Sequence, residues 1–181
     1  MTAEPGAVVE RWEQRVRELD PRTPASLVVV DLGLVPYREC LALQRRLAAC
    51  RAQAQIPDVL LLCEHPPVFT IGRAADGSHL GPLPAGHTVP VVAVERGGDV
   101  TYHGPGQLVG YPILRLADHG DDVHRYVRMV EETAIVLLAQ YGIETGRIKE
   151  YPGVWAGPAK IGAVGIAIKG GVTMHGLAIN V

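Results

Sequence analysis

The sequence has few of the features that mark secreted, membrane-spanning or nucleic-acid-binding proteins. Only three of its 181 residues are cysteine, and an odd number in a chain of this length predicts reduced thiols and a cytoplasmic location rather than a disulfide framework. No apolar run reaches the roughly 18 residues of a membrane span, so no membrane association is predicted. The formal net charge of -2 leaves no basic excess for a general nucleic-acid binder.

Sequence motifs for metals and nucleotides are also missing. The cysteines and histidines show neither a CxxC pair nor another spacing typical of zinc ligands. There is no G-x-x-x-x-G-K-[ST] phosphate loop and no G-x-G-x-x-G that opens a helix. The sequence therefore predicts no metal and no nucleotide cofactor.

What is present is typical of one globular domain. Hydrophobic residues make up 48% and charged residues 20% of the chain, as in ordinary globular proteins. Strand-like segments outnumber helices, and the long helices lie between groups of strands. This arrangement predicts an α+β fold with a mixed or antiparallel sheet and flanking helices. Residues 1–24 are interpreted as a partly helical N-terminal extension and residues 25–181 as the domain.

Local patterns predict several of the elements. An amphipathic pattern begins after Pro36 and predicts a helix that places Cys40 in the core and leaves Cys50 at or near the surface. A second helix is predicted from a cap at Asp121 or Asp122 to Gly142. The segment "VPVVAVERGGDVTYH" predicts a strand, a Gly-Gly turn and a second strand, which together would form a β-hairpin.

The run "RGGDVTYHGPGQLVGYPI", residues 96–113, concentrates glycine and proline between strand-like segments. Core strands avoid both residue types. Glycines on each side of His103 expose backbone and let another molecule approach closely. The run is therefore interpreted as a slot for a flat or chain-like group whose polar end meets Arg96 and backbone N–H donors. A plain glycine-rich hairpin followed by a turn is the simpler alternative.

A second candidate segment is the predicted strand "PAKIGAVGIAI". Lys160 stands at its start, on the face that would also carry Gly162 and Val164. Such a lysine either extends into solvent from the strand end or is buried, with its pKa lowered for catalysis. The small residues beside it favour a functional site. Three candidates are weaker: Arg73 as a surface residue or site wall, His65 as a strand-end residue bonded to backbone, and His175 before a glycine in an apolar strand.

Four ordered segments carry a resemblance to a known family: "LLLCEHPPVFTIGR", "ERGGDVTYHGPGQLVGYPI", "AKIGAVGIAI" and "MHGLAINV". They resemble the lipoyl(octanoyl) transferases of lipoate biosynthesis, from about Leu27 to Val181. The resemblance implies the α+β catalytic domain of the biotin and lipoate protein ligases. It implies an acyltransferase that moves an octanoyl group from octanoyl-acyl carrier protein, through a cysteine thioester, to a lysine amine of a lipoyl domain. It implies no cofactor.

The resemblance also implies partners and site residues. The acceptors would be the lipoyl domains of 2-oxoacid dehydrogenase E2 subunits and the glycine cleavage H protein. Lys160 would lower the pKa of the nucleophilic cysteine. The implied substrate-binding residues are Arg96, Gly97, Gly98, Asp99, Val100, Thr101, Tyr102, His103, Ala163, Val164, Gly165, Gly176, Leu177 and Ala178.

One departure from the family pattern leaves alternatives open. The family nucleophile stands in a Pro-Cys-Gly context, which none of the three cysteines here has. We therefore expect a chain truncated at its C-terminus and inactive by itself. An ATP-dependent lipoate or biotin protein ligase would share the fold and the acceptor without needing that cysteine. A non-catalytic module that binds an acyl chain or acyl carrier protein would use the same slot.

Overall fold

A computed structural model describes residues 5–18, 27–75, 86, 88–149 and 151–181. Within these residues the chain forms three α-helices, one short 3-10 helix at Leu116–His119 and ten strands. The helices are α1 (Pro5–Arg17), α2 (Tyr37–Ala52) and α3 (Val123–Ala139). The strands are β1 (Leu27–Leu34), β2 (Asp58–Glu64), β3 (Val68–Ile71), β4 (Val91–Ala93), β5 (Val100–His103), β6 (Gln107–Ile113), β7 (Gly146–Ile148), β8 (Tyr151–Ala156), β9 (Ala159–Lys169) and β10 (Val172–Asn180).

The main sheet has seven strands in the order β1-β2-β6-β10-β9-β8-β7. Strands β1 and β2 are parallel, and each further pair across the sheet is antiparallel. The predicted mixed sheet is therefore confirmed. A second, three-stranded sheet has the order β4-β3-β5.

Helices cover both faces of the main sheet. Along β10, Ala178 packs in the core that contains α2, whereas its neighbours Leu177 and Ile179 pack against α3. Successive strand residues point to opposite faces, so α2 and α3 lie on opposite sides of the sheet. The α+β class with flanking helices, predicted from the order of the elements, is what the structure has.

The ends of α3 follow from local chemistry. The Asp122 side chain accepts a hydrogen bond from the Arg125 backbone N–H at 3.0 Å, which caps the first turn. Beyond the other end, Gly142 has a φ of +73°, a conformation that glycine adopts without steric cost. Both predicted boundary signals are confirmed.

The hairpin predicted for residues 89–103 is wrong. Strands β4 and β5 do not pair with each other, because β3 lies between them. Strand β3 pairs in parallel with β4 and antiparallel with β5. The Gly97-Gly98 segment therefore leaves the small sheet, and the Gly97 N–H bonds to the Ile166 carbonyl on β9 at 2.8 Å. A turn signal specifies local bending, but strand pairing is decided by the rest of the fold.

The N-terminal helix belongs to the same core as the sheet. Val16 is 2% exposed and packs with residues of β1 and α2. The rest of the predicted extension, residues 1–4 and 19–24, lies outside the described residues. No helix among the described residues is long and apolar enough to cross a membrane.

All three cysteines are buried and free. Cys40 is in the core as predicted, but the surface position expected for Cys50 is wrong, since only 7% of that residue is exposed. Helix α2 is covered by both α1 and the sheet, so more than one stripe of its surface is buried.

Candidate active site

A cleft lies between the glycine-rich segment and the strands of the main sheet. It encloses about 320 Å³ of atom-free space, part of which is open to solvent. Its wall is formed by Tyr37, Arg96, Thr101, His103, Val109, Tyr111, Ala163, Val164, Gly165, His175, Gly176, Leu177 and Ala178. Residues from α2, the small sheet and three strands of the main sheet thus meet in one place.

The cleft wall contains nine of the fourteen substrate-binding residues expected from the sequence. They are Arg96, Thr101, His103, Ala163, Val164, Gly165, Gly176, Leu177 and Ala178. The others, Gly97, Gly98, Asp99, Val100 and Tyr102, belong to the same segment but are not part of the wall. Tyr102 is 48% exposed. Successive residues of a strand point to opposite faces, so Tyr102 points away from the cleft that its neighbours Thr101 and His103 line.

Arg96 brings a buried positive charge to the cleft. Its guanidinium donates hydrogen bonds to the Thr70 carbonyl at 2.9 Å, the Thr70 hydroxyl at 2.8 Å and the Gly97 carbonyl at 3.0 Å. Burial lowers the pKa of Arg96, but a guanidinium remains charged at physiological pH. The bonds to Thr70 and Gly97 fix the direction of its remaining donors.

Two glycines make room for the Arg96 side chain. A Cβ on Gly72 would lie 2.3 Å from the Gly98 carbonyl oxygen and 2.8 Å from Arg96 Nη1. A Cβ on Gly165 would lie 3.0 Å from Arg96 Cδ. These positions therefore need glycine for close packing rather than for an unusual backbone angle.

Two buried histidines, His103 and His175, belong to the cleft wall, and the buried His65 lies outside it with its ring centre 5.7 Å from that of His103. His103 Nδ1 lies 2.6 Å from Gln107 Oε1, an acceptor, so Nδ1 carries the proton. His65 Nδ1 lies 2.7 Å from the Val35 carbonyl, and its Nε2 lies 2.8 Å from the Tyr111 hydroxyl. The predicted backbone bond of His65 is confirmed, and it sets the His65 tautomer in the same way.

His175 has an unusual backbone and environment. Its φ is +58° in the middle of β10, a conformation that is costly for a residue with a Cβ. The backbone N–H donates to the buried Gln44 side chain at 2.9 Å, which holds this conformation. Neither ring nitrogen has a hydrogen-bond partner among the described residues, and Nε2 lies 3.8 Å from Glu95 Oε2. Such strain and such buried, unpaired polar atoms are typical of functional sites.

The histidines are neutral at physiological pH. Burial lowers the pKa of His103 to about 4 and that of His175 to about 4, and it also lowers the pKa of His65. Burial raises the pKa of the Tyr37 and Tyr111 hydroxyls. The polar end of the cleft thus presents one fixed cation, neutral imidazoles and neutral phenols.

We expect the stability of the protein to fall as the pH is lowered from about 6.5 to about 4. In the unfolded chain His103 and His175 bind protons near the ordinary histidine pKa of about 6.5, whereas in the folded protein they remain neutral to about pH 4. The unfolded state therefore binds more protons in this window, and stability rises with pH across it. Urea unfolding across the window measures the slope.

A variant comparison separates His175 from other titrating groups. His175→Gln should flatten the slope relative to the wild type, and His124→Gln, at an exposed position on α3, should not. Equal slopes in all three proteins would contradict a neutral buried His175.

Lys160 and Arg73 stand apart from the cleft wall. Lys160 is exposed, so the buried alternative is not what the structure shows. Its Nζ lies 5.0 Å from the centre of the Trp155 ring, a cation–π contact. A register shift separates the pairs Val154–Gly162 and Trp155–Lys160, so the alternation that linked Lys160 to Gly162 is interrupted. Arg73 is exposed, and its backbone N–H bonds to the Arg96 carbonyl at 3.0 Å.

Sequence reasoning did not assign Tyr37, Val109 and Tyr111 to the site. Tyr37 stacks on His103 with ring centres 5.6 Å apart, although it lies 66 positions earlier in the chain. The helical periodicity marked Tyr37 only as apolar. The alternation along β6, which buries Val109 and Tyr111 on one face, could have indicated the other two.

Comparisons with known proteins agree with the fold. Residues 36–181 match the lipoyl protein ligase A/B catalytic domain. An octanoyltransferase of Gloeobacter violaceus is 49% identical over 155 residues, which cover 85% of this chain and 69% of that protein. An octanoyltransferase of Rubrobacter xylanophilus is 49% identical over 172 residues, which cover 91% of this chain and 76% of that protein.

Solved structures share the fold at lower identity. Lipoate-protein ligase A bound with ATP superposes with a TM-score of 0.56 at 17% identity, covering 86% of this chain and 66% of that one. LipL1 of P. falciparum in complex with lipoate has a TM-score of 0.63 at 14% identity. The superposition covers 86% of this chain and 48% of that one. From the domain match and the octanoyltransferase identities together, this chain belongs to the octanoyltransferase family, within the lipoyl protein ligase A/B catalytic domain.

Proposed function

We propose that the cleft binds an octanoyl thioester and that the protein transfers the octanoyl group to a lysine amine of a lipoyl domain, a step of lipoate biosynthesis. The observation that carries this proposal is the composition of the cleft wall. Small and apolar residues of β6, β9 and β10 make up the apolar part of the wall, and Arg96, His103 and His175 make up its polar part. Relatives about half identical to this chain are octanoyltransferases.

The apolar part suits an unbranched alkyl chain. Ala163 and Ala178 keep the wall shallow with their small side chains, whereas Gly165 and Gly176 pack directly against Arg96 and β6. Val109 supplies an apolar side chain on the Ala178 face of the sheet, whereas Val164 and Leu177 pack on the α3 face. Each methylene that moves from water into such a site contributes about 0.8 kcal/mol, so an eight-carbon chain has a strong driving force to enter.

The polar part suits the thioester carbonyl. A nucleophile that attacks a thioester places negative charge on the carbonyl oxygen, and a fixed cation or N–H donor aimed at that oxygen stabilises the charge. The Arg96 guanidinium is held in place by Thr70 and Gly97 and does not have to reorganise during the reaction.

The three cysteines of this chain are not assigned as the attacking thiol. None is among the described residues of the cleft wall, and they are 0%, 7% and 3% exposed. The hydrogen-bonded Cys40 thiol and burial both raise the pKa of Cys63, whereas the attacking species is a thiolate. We propose that the described residues bind and orient the acyl group.

The proposed donor is octanoyl-acyl carrier protein. The proposed acceptors are the lipoyl domains of 2-oxoacid dehydrogenase E2 subunits and of the glycine cleavage H protein. We further propose a cytoplasmic location, which rests on the free state of all three cysteines.

The proposed function is tested by transfer with and without ATP. The protein, together with any residues that follow Val181 in its gene, is incubated with octanoyl-acyl carrier protein and a lipoyl domain, and the mass of the lipoyl domain is measured. We expect octanoylation without ATP. An absolute requirement for ATP would instead indicate an acyl-adenylate ligase, and binding without transfer would indicate a non-catalytic module.

A cleft-filling variant tests the site itself. Ala163→Leu adds three carbons inside the cleft and should weaken octanoyl binding, measured by calorimetry with octanoyl-acyl carrier protein. Ala159→Leu makes the same change at an exposed position of the same strand and should bind as the wild type does. Equal binding by both variants would place the acyl group elsewhere.

Lys160→Ala should lower the transfer rate by about 100-fold, the lower range for loss of a general acid or base, with little change in stability. The exposed side chain can be removed without a cavity, and the family resemblance gives Lys160 a role in activating the nucleophile. Lys169→Ala, at the exposed far end of the same strand, is the control. Unchanged transfer in Lys160→Ala would leave Lys160 as a solvent-exposed residue that packs on the Trp155 ring.

A further inference from the structure

The fold brings two thiols and an imidazole together in the core beside the cleft. Cys40 lies on α2, and Cys63 and His65 lie at the end of β2. The two sulfur atoms and a ring nitrogen of His65 all lie within 4.8 Å of one another, and Cys63 Sγ is 3.5 Å from His65 Nε2. The three residues are 0%, 3% and 0% exposed. Sequence spacing gave no sign of this cluster, because Cys40 comes from a different element.

The His65 ring has the orientation of a metal ligand. Its Nδ1 lies 2.7 Å from the Val35 carbonyl, which can only accept, so the proton is on Nδ1. Nε2 therefore carries a lone pair on the side of Cys63. Metal-ligating histidines are commonly held in this way, with the second ring nitrogen donating to a backbone carbonyl.

The thiol of Cys40 also has an outer contact. Gln44 Nε2 lies 3.9 Å from Cys40 Sγ, and both side chains are fully buried. A buried amide donor of this kind stabilises a sulfur that gains negative charge. Two of the three groups thus have a neighbour that would support them as ligands.

We propose that Cys40, Cys63 and His65 form a three-ligand site for a thiophilic divalent cation of the zinc class. Zinc bonds of about 2.3 Å to sulfur and 2.0–2.1 Å to nitrogen place tetrahedral ligand atoms about 3.5–3.8 Å apart. The Cys63–His65 pair already has this separation. The remaining pairs have to close by at most about 1 Å from the 4.8 Å limit.

The charge balance suits a buried site. Two thiols and a neutral imidazole carry no net charge. When the cation binds, each thiol loses its proton to solvent, two sulfur–metal bonds form, and the two thiolates neutralise the two positive charges. The core therefore contains an electrically neutral unit before and after binding, and no isolated charge is buried.

Cation binding would act on the cleft through Tyr111. The Tyr111 hydroxyl, 2.8 Å from His65 Nε2, donates to the single lone pair that the metal would use. The cation and this hydrogen bond therefore exclude each other. Because Tyr111 is part of the cleft wall, the bound cation would release a side chain of the acyl site.

The proposal is tested with the 181-residue chain, purified free of metal in the presence of a non-thiol reductant. The chain is titrated with Co²⁺, which reports thiolate ligation through sulfur-to-cobalt charge-transfer absorption, and then with Zn²⁺. We expect one Co²⁺ per chain, a thiolate band, and displacement by one Zn²⁺. The absence of a thiolate band or of stoichiometric binding would overturn the proposal.

Variants assign the ligands. Cys40→Ala and Cys63→Ala should lower Co²⁺ affinity by about 100-fold or more, since even outer residues of metal sites contribute 10–100-fold. Cys50→Ala is the matched control, because Cys50 is also a buried cysteine of α2 and stands outside the cluster. Thermal unfolding without metal shows whether each variant is folded. Loss of binding in Cys50→Ala, or its retention in both cluster variants, would overturn the assignment.

Discussion

Glu131→Ala should lower the free energy of unfolding by about 3 kcal/mol, the upper end of the cost of leaving a buried polar group unpaired. Glu131 lies on α3 and is fully buried. Its carboxylate accepts hydrogen bonds from Arg128 Nη1 at 2.8 Å, from Arg147 Nε at 2.9 Å and from the Gly153 N–H at 3.0 Å. One side chain thus joins α3 to β7 and β8.

Removing the carboxylate leaves the buried Gly153 N–H without its acceptor. Gly153 has a φ of +127°, and a Cβ there would lie 2.5 Å from the Gly162 carbonyl oxygen. The same Cβ would lie 3.4 Å from Lys160 Cε. The segment of β8 that bonds to Glu131 is therefore also the segment that the Lys160 side chain approaches. We expect the Gly153 amide to exchange with solvent faster in the variant.

The matched control is the adjacent residue. Glu132→Ala removes a carboxylate that also binds Arg147, at 2.6 Å, but that is 55% exposed, so the loss should be below about 1 kcal/mol. Thermal unfolding measures both, and 3 kcal/mol corresponds to about 6–12 °C for a chain of this size. Glu131→Gln, which keeps the shape, separates the lost charge from the cavity. Equal melting temperatures for Glu131→Ala and Glu132→Ala would contradict the structural role.

Gly176→Ala should destabilise the fold by about 3 kcal/mol, the upper end of the usual cost of overpacking. A Cβ on Gly176 would lie 2.3 Å from the Gly110 carbonyl oxygen and 2.7 Å from Pro112 Cδ, both on β6. Neither group is the flexible end of a side chain. Strands β6 and β10 would have to separate, and both line the cleft.

Gly146→Ala on β7 is the control for this substitution, because a Cβ there meets no atom within 4 Å and its φ is not positive. The control should melt within about 2 °C of the wild type, since surface changes are usually within 0.5 kcal/mol. The Gly176→Ala protein should also bind octanoyl-acyl carrier protein more weakly than the wild type does. A Gly176→Ala protein of wild-type stability would show that the two strands are not as close as the structure places them.

Much of the fold could be predicted from local patterns. The cap at Asp122 and the glycine at 142 bound α3, and the Pro66-Pro67 break separates β2 from β3. These signals are local because a helix or strand is decided by spacing along the chain. The glycine-rich segment was predicted to belong to a site because glycine and proline are rare in core strands and expose the backbone.

Properties that depend on distant parts of the chain could not be predicted in this way. The position of β3 between β4 and β5 depends on long-range pairing, and the exposure of Lys160 depends on an irregular register with β8. Tyr37 enters the cleft because α2 packs on the sheet beside His103.

The sequence by itself determined the α+β class and most elements, because periodicity and caps are encoded locally, and its family resemblance implied nine residues of the cleft wall. Only the tertiary structure decided which side chains meet. It placed Cys40 beside Cys63 and His65, gave His175 its left-handed backbone supported by Gln44, and joined Glu131 to Gly153. These contacts link residues far apart in the chain, and packing of whole elements is what brings them within bonding distance.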